Sequence, residues 1–188
     1  METGRFEALI DAILAIIITI IVLELPLPSS GNWASLYAIR YEFIIYAISF
    51  IVCFNFWNFN NNLFNIVNKI DANVIWTMAV MLLIFALLPY LTTFVGENFY
   101  VFFAQFLYGL SFLIIAILSI IFEEFLKRAD PGNIALQIAI FNKPLYGTII
   151  LVIIGMIIGY FIYPPAIIIC CLLSILGIWC VPKIMEFL

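Results

Sequence analysis

Six long apolar stretches run along the chain, at about 6–25, 36–59, 73–91, 99–122, 145–163 and 166–181, and turn or charge signals separate them. Pro26, Pro28, Ser29, Ser30 and Gly31 divide the first from the second, and the Asn-rich stretch from Asn58 to Asp71, with Lys69, divides the second from the third. Pro89 and the pair Thr92-Thr93 close the third, and Gly96-Glu97-Asn98 leads to the fourth. Glu123-Glu124, Lys127-Arg128 and the breaker Asp130-Pro131-Gly132 close the fourth. Residues Asn133 to Phe141 read as a short interfacial segment, and Pro164-Pro165 force a tight turn between the last two stretches. Segments this long and this apolar cross a bilayer. They do so as helices, because an open sheet cannot satisfy its backbone polar groups in lipid. The pattern therefore predicts an all-α membrane protein with six transmembrane helices in a single domain, residues 1–188.

The first stretch is the most informative. Between Leu9 and Leu25 it carries Asp11 near one end, Glu24 near the other and a single hydroxyl, Thr19, between them. At about 100° per residue, Ala12, Ile16, Thr19, Ile20, Leu23 and Leu27 fall within one arc, centred roughly 130° from Asp11. Asp11, Ala15, Ile18 and Val22 form a different face. Branched aliphatics at this spacing pack or face lipid in most membrane helices, so periodicity alone leaves that reading open beside a second one. In the second, several copies meet on one axis and enclose a narrow greasy pore with one ring of hydroxyls.

Composition narrows the class. Of 188 residues, 67% are hydrophobic and 10% are charged, a balance that no ordinary soluble domain has. The net charge of −4 argues against nucleic acid as a partner. The four cysteines, Cys53, Cys170, Cys171 and Cys180, all lie within apolar stretches and read as small packing residues rather than a disulfide framework or metal site. The chain has no histidine, which removes the commonest general base and metal ligand. With no nucleophile–base pair and no metal-ligand spacing, an enzyme is not expected. No small-residue cleavage site follows the first stretch, so a cleavable signal peptide is not expected either. With the N-terminus inside, Arg5, Lys69, Lys127, Arg128, Lys143 and Lys183 fall on the cytoplasmic side and only Arg40 outside, which places both termini in the cytoplasm of a multi-pass cell-membrane protein.

Arg5-x-x-x-Leu9-Ile10-Asp11, followed by Ala15-Ile16-x-x-Thr19-x-x-Val22-Leu23-Glu24 and Pro28, resembles the first-helix signature of the lysosomal/endosomal potassium channel family, transmembrane protein 175. The similarity extends through Trp57, Leu63-Phe64, Asp71, Trp76 and the segment from Leu87-Leu88-Pro89 to Gly96-Glu97. It covers roughly the first hundred residues by motif and the rest by helix pattern. The family pattern has Phe-Ser where this chain has Leu9-Ile10, and often a His pair where this chain has Asn60-Asn61. The resemblance implies a homotetramer of six-helix subunits around one central pore, each lining it with its first helix, and monovalent cations, potassium above all, as the permeant species. Matched position by position, Ile16 is the constricting isoleucine, Thr19 the hydroxyl that meets potassium in transit, and Leu23 an outer hydrophobic ring, with Ile20 between them.

Several roles remain to be placed. Glu24 belongs near the outer mouth, though about 90° from the centre of the pore face. Asp11 is expected to pair with Arg5 or with amide and indole groups of the next two helices, and Asn60 and Asn61 to link helices by hydrogen bonds. Trp33, Trp57, Trp76 and Trp179 read as interfacial anchors. Glu123-Glu124 with Lys127-Arg128 reads as a solvated helix end. Gly155-x-x-x-Gly159 permits close helix contact. A different class of function, a small proton-coupled transporter using Asp11 or Glu24, needs a mid-membrane substrate site, and the middles of these stretches offer almost no polar groups for one.

Overall fold

A computed structural model describes residues 3–140 and 143–175, apart from the side chains of 143 and 144. All the regular structure among these residues is helical: α1 Thr3–Leu23, α2 Trp33–Ala38, α3 Arg40–Phe64, α4 Ala72–Ala86, α5 Leu88–Glu97, α6 Phe102–Ala129, α7 Ile134–Ala139, α8 Lys143–Phe161 and α9 Ala166–Ile175. Four helical spans are long and apolar enough to cross a membrane: α1, α3, α4 with α5, and α6. The apolar helices α8 and α9 are shorter. Residues 176–181 of the sixth stretch, with Trp179, Cys180 and Lys183, lie outside the described residues.

Helix boundaries differ from the hydrophobic pattern where polar side chains find partners on their own helix. α3 continues past 59 to Phe64, because Asn60 turns its Nδ2 back to donate to Phe56 O (2.7 Å). The third span starts at Ala72, where Asp71 caps the helix by accepting from Val74 N–H (3.0 Å), and it runs on to Glu97 instead of stopping near 91. Pro89 has no N–H to give the preceding turn and its ring crowds that turn's carbonyl, so the helix breaks at Leu87. There the Leu87 N–H tightens onto Ile84 O (3.1 Å) and α5 restarts with Pro89 in its first turn. α6 extends to Ala129 and takes the charged cluster with it. Glu124 and Arg128 form the expected exposed i,i+4 pair (3.0 Å). Glu123 does not: it falls on the stripe of Ser119, Phe122 and Leu126 and is 3% exposed, with its Oε2 unpartnered.

Lipid is as apolar as leucine, so polar links and close contacts set the helix arrangement. At the centre, Ser49 of α3 lies 2.7 Å from the Thr92 hydroxyl of α5 and 2.9 Å from the Tyr108 hydroxyl of α6. Thr92 spends its one proton on Leu88 O (2.7 Å), so the order is fixed: Tyr108 donates to Ser49 and Ser49 to Thr92. All three side chains are buried, and every hydroxyl proton is used.

Gly155 and Gly159 serve contact within the chain. A Cβ at Gly155 would lie 2.7 Å from Cys170 Cβ, and one at Gly159 would lie 2.7 Å from Ile167 Cγ1, so α8 accepts α9 only because both positions lack a side chain. Cys53 and Cys171 are buried free thiols and Cys170 is a partly buried one, as expected of packing residues.

At the end of the bundle where α3 turns into α4, Asp130 ties two loops together. Its Oδ2 accepts from the Asn68 backbone N–H (3.0 Å) and from Asn133 Nδ2 (2.9 Å), while Asn133 Nδ2 also donates to Ile66 O (2.6 Å). The hydrogen bond from Asn133, with that from the Asn68 backbone, holds the Asp130 carboxyl below its ordinary range. A carboxylate with a lowered native pKa stabilises fully above its unfolded value, about 3.9, and loses that contribution as pH falls through the native value. Asp130→Ala should therefore lower the thermal midpoint of the detergent-solubilised protein at pH 7, by a few degrees for each kcal/mol lost. The gap to the parent chain should close in strong acid. An equal gap at every pH would show that the link is not made by the ionised carboxylate.

Candidate functional site

α1 divides cleanly into two faces. Phe6, Ile10, Leu14, Ile17 and Ile21 are buried, at 0–4% exposure, against α3, α4 and α5. The opposite arc is open in the single chain: Ile16 is 58% exposed, Ile20 38% and Leu23 79%, with Ala12 and Thr19 also exposed; Leu27, placed on this arc by spacing, lies beyond the end of α1. The residues that sequence reasoning groups on one face are thus together on the side of α1 that its own bundle does not cover. Thr19 Oγ donates to Ile16 O, one turn back (2.8 Å). That bond uses its only proton and leaves lone pairs on the oxygen, which makes the hydroxyl an acceptor able to replace a water around a cation.

The residues that brace α1 lie in its N-terminal half. Asp11 is exposed at the surface of the single chain, and its Oδ1 accepts from Trp57 Nε1 of α3 (2.9 Å). The indole partner is thus the one that forms, and Arg5 makes no ion pair with Asp11 among the described residues. Phe6 meets Phe64 edge-on (ring centres 5.9 Å apart), joining the same two helices lower down. Asn60 is buried with its Oδ1 unpartnered and its amide on its own helix, while Asn61 is half-buried. Trp76 and Trp33 are 72% and 85% exposed, open on the outside of the bundle as membrane anchors are.

Glu24, the first residue beyond α1, is exposed. It closes one end of a groove of about 390 Å³ lined by Ile13, Ile16, Ile17, Ile20, Ala86, Pro89 and Tyr90. The far wall is the α4–α5 break. Sequence reasoning reaches Ile16, Ile20 and Glu24 but not this groove, because Ile13 lies on the shoulder between the two faces, Ile17 on the buried one, and the break is far away in sequence. Pro89 inside an apolar stretch is the signal that marks it. Among the described residues no group of three or more Cys, Asp or Glu side chains is arranged to hold a metal ion.

Comparison with known proteins agrees with this architecture. Residues 5–89 match the family described as "Endosomal/lysosomal potassium channel TMEM175". A potassium channel of Chryseobacterium sp. strain P1-3 is 36% identical over 165 residues, covering 87% of this chain and 85% of the relative. A potassium channel of Streptomyces collinus is 29% identical over 100 residues, covering 51% of this chain and 48% of the relative. The crystal structure of a lysosomal potassium-selective channel TMEM175 homologue from Chamaesiphon minutus shares the fold, with TM-score 0.71 and 22% identity over 94% of this chain and 96% of that one. A chain with this first helix, this all-helical bundle and this degree of identity over most of its length belongs to the TMEM175 family, as a prokaryotic member.

Proposed function

We propose that this protein is a potassium-selective, leak-like channel of the cell membrane, a homotetramer of six-helix subunits in which α1 lines the central pore. The observation that carries the reading is the open arc of α1. A single chain buries one stripe of α1 and leaves Ile16, Ile20 and Leu23 uncovered with one hydroxyl among them, which suits a helix that meets copies of itself. In this reading α8 and α9 complete the count of six spans, both termini are cytoplasmic, and the single domain covers the chain. The family is one of channels rather than enzymes, and the only ion called for is the permeant K⁺, transient at Thr19.

Stripping an ion bare inside an apolar ring costs on the order of 20 kcal/mol by the idealised Born figure. Conduction therefore runs with the ion partly hydrated, and four Thr19 oxygens replace some of its water. Potassium holds its hydration shell less tightly than sodium, so a ring that compensates incompletely favours potassium. The closed state needs no moving plug, since a ring of Ile16 side chains stops the current by dewetting. Four Glu24 carboxylates near the outer mouth concentrate cations. Trp57 holding Asp11, with Arg5, Asn60, Asn61 and Trp76 nearby in sequence motif, keeps α1 at the angle that presents this arc.

Bi-ionic reversal potentials on reconstituted protein test the assignment directly. A potassium preference is expected in the parent chain and a several-fold smaller one in Thr19→Ala, with assembly intact; identical potentials for the two would reject the hydroxyl's role. Ile16→Ala should raise leak flux several-fold and weaken the preference, and unchanged flux would remove Ile16 as the constriction. Single cysteines introduced at positions 16 or 23 should cross-link neighbouring subunits on oxidation. Their failure to do so would take α1 away from the shared axis.

A further inference from the structure

The groove beside the open arc has the shape and charge of a binding site for a particular kind of molecule. Its α1 wall, Ile13, Ile16, Ile17, Ile20 and Glu24, follows helical spacing along one line. On the helical wheel that line lies roughly 60° from the centre of the proposed pore arc, on the shoulder toward the bundle. From Ile13 to Glu24 the α1 wall rises about 16 Å, whereas the opposite wall, Ala86 to Tyr90, rises about 6 Å, so the groove of about 390 Å³ is an open trough along α1 that is long enough for an extended alkyl chain. The walls are aliphatic, apart from the ring of Tyr90 at the α4–α5 break, which is 66% exposed.

Charge sets the polarity of the occupant. Glu24 is the only charged residue in the lining, it stands at one end, and among the described residues its carboxylate has neither an ion-pair partner nor a hydrogen-bonded one. No basic side chain lines the slot, so nothing there would receive the phosphate of a phospholipid. A cationic head, by contrast, finds a carboxylate at the mouth and an aromatic face nearby, and such a face attracts cations.

We infer that the groove between α1 and the α4–α5 break binds a single-chain amphiphilic amine, with its alkyl chain along Ile13, Ile17 and Ile20 and its ammonium on Glu24. Bound there, the chain presses on Ile16 and Ile20 from the side and reduces conduction. That effect on flux rests on the pore assignment above, whereas the binding itself belongs to the single chain.

Photolabelling separates the two. The full chain is reconstituted in phosphatidylcholine vesicles and exposed, at sub-micellar concentration, to a hexadecyltrimethylammonium probe carrying a diazirine in its chain. Labelled residues are then mapped by mass spectrometry. Labelling is expected on α1 between Ile13 and Glu24 and around Ala86–Tyr90. Unlabelled hexadecyltrimethylammonium should compete, whereas tetramethylammonium, which lacks the chain, should not. Glu24→Gln should weaken the apparent affinity about tenfold. Ala86→Phe, which fills the groove from the α4 side, should abolish labelling while leaving the oligomeric state unchanged.

Diffuse labelling, labelling that survives Ala86→Phe, or equal competition by a lysophospholipid of the same chain length would overturn the site. So would absence of labelling in an intact oligomer, because a second copy would then fill the groove. A reconstituted protein that labels as expected yet passes no potassium would refute the channel assignment and leave the site standing.

Discussion

The hydroxyl chain from Tyr108 through Ser49 to Thr92 and on to Leu88 O is what the rest of the arrangement hangs on. In hydrocarbon, apolar contact between helices replaces equally apolar contact with lipid, so packing and hydrogen bonds decide how helices stand against one another. This chain joins α3, α5 and α6 and leaves no hydroxyl proton unused. Satisfaction matters more than number here, since a half-satisfied buried network would be worse than an apolar one. With α3 and α5 fixed in this way, the surface they offer to α1 is fixed, and so is the side of α1 that stays uncovered.

The two ends of the bundle are held differently. At one end, Asp130 and Asn133 gather the α3–α4 and α6–α7 loops through the Asp130 carboxylate and the Asn133 amide. At the other, aromatic rings replace them. Tyr41 stacks on Phe99 with centres 4.2 Å apart and meets the Tyr100 hydroxyl at 2.6 Å, and the Arg40 guanidinium lies over the Tyr37 and Tyr41 rings. Donating to Tyr41 pushes the Tyr100 hydroxyl up to about 12, so Tyr100 keeps its proton at physiological pH.

Much of this was legible in the residues, and what was not has physical causes. Hydrophobic runs located the spans because length and apolarity are what lipid demands. The arc of Ile16, Thr19, Ile20 and Leu23 was legible because a helix repeats at a fixed angle. Hydropathy misplaces ends wherever a polar side chain bonds its own helix, as Asn60 does at the end of α3. It also treats Pro89 as a stop, although a proline in the first turn of a new helix leaves the span continuous. Glu123 resists such reading altogether, since its burial follows from the stripe it shares with Ser119 and Phe122. The groove at Glu24 is hidden for a related reason: it is built by two elements far apart in sequence, and neither element alone has a concave face.

The hairpin of α8 and α9 has its own consequence for how such a chain can diverge. Cys170 and Ile167 occupy the space that side chains at 155 and 159 would need, so neither helix can enlarge alone. Change at these positions has to come in compensating pairs across the hairpin, a bulkier residue on one helix matched by a smaller one opposite. Drift in this part of the molecule is therefore correlated rather than free, even though its exposed isoleucines are interchangeable with other aliphatics.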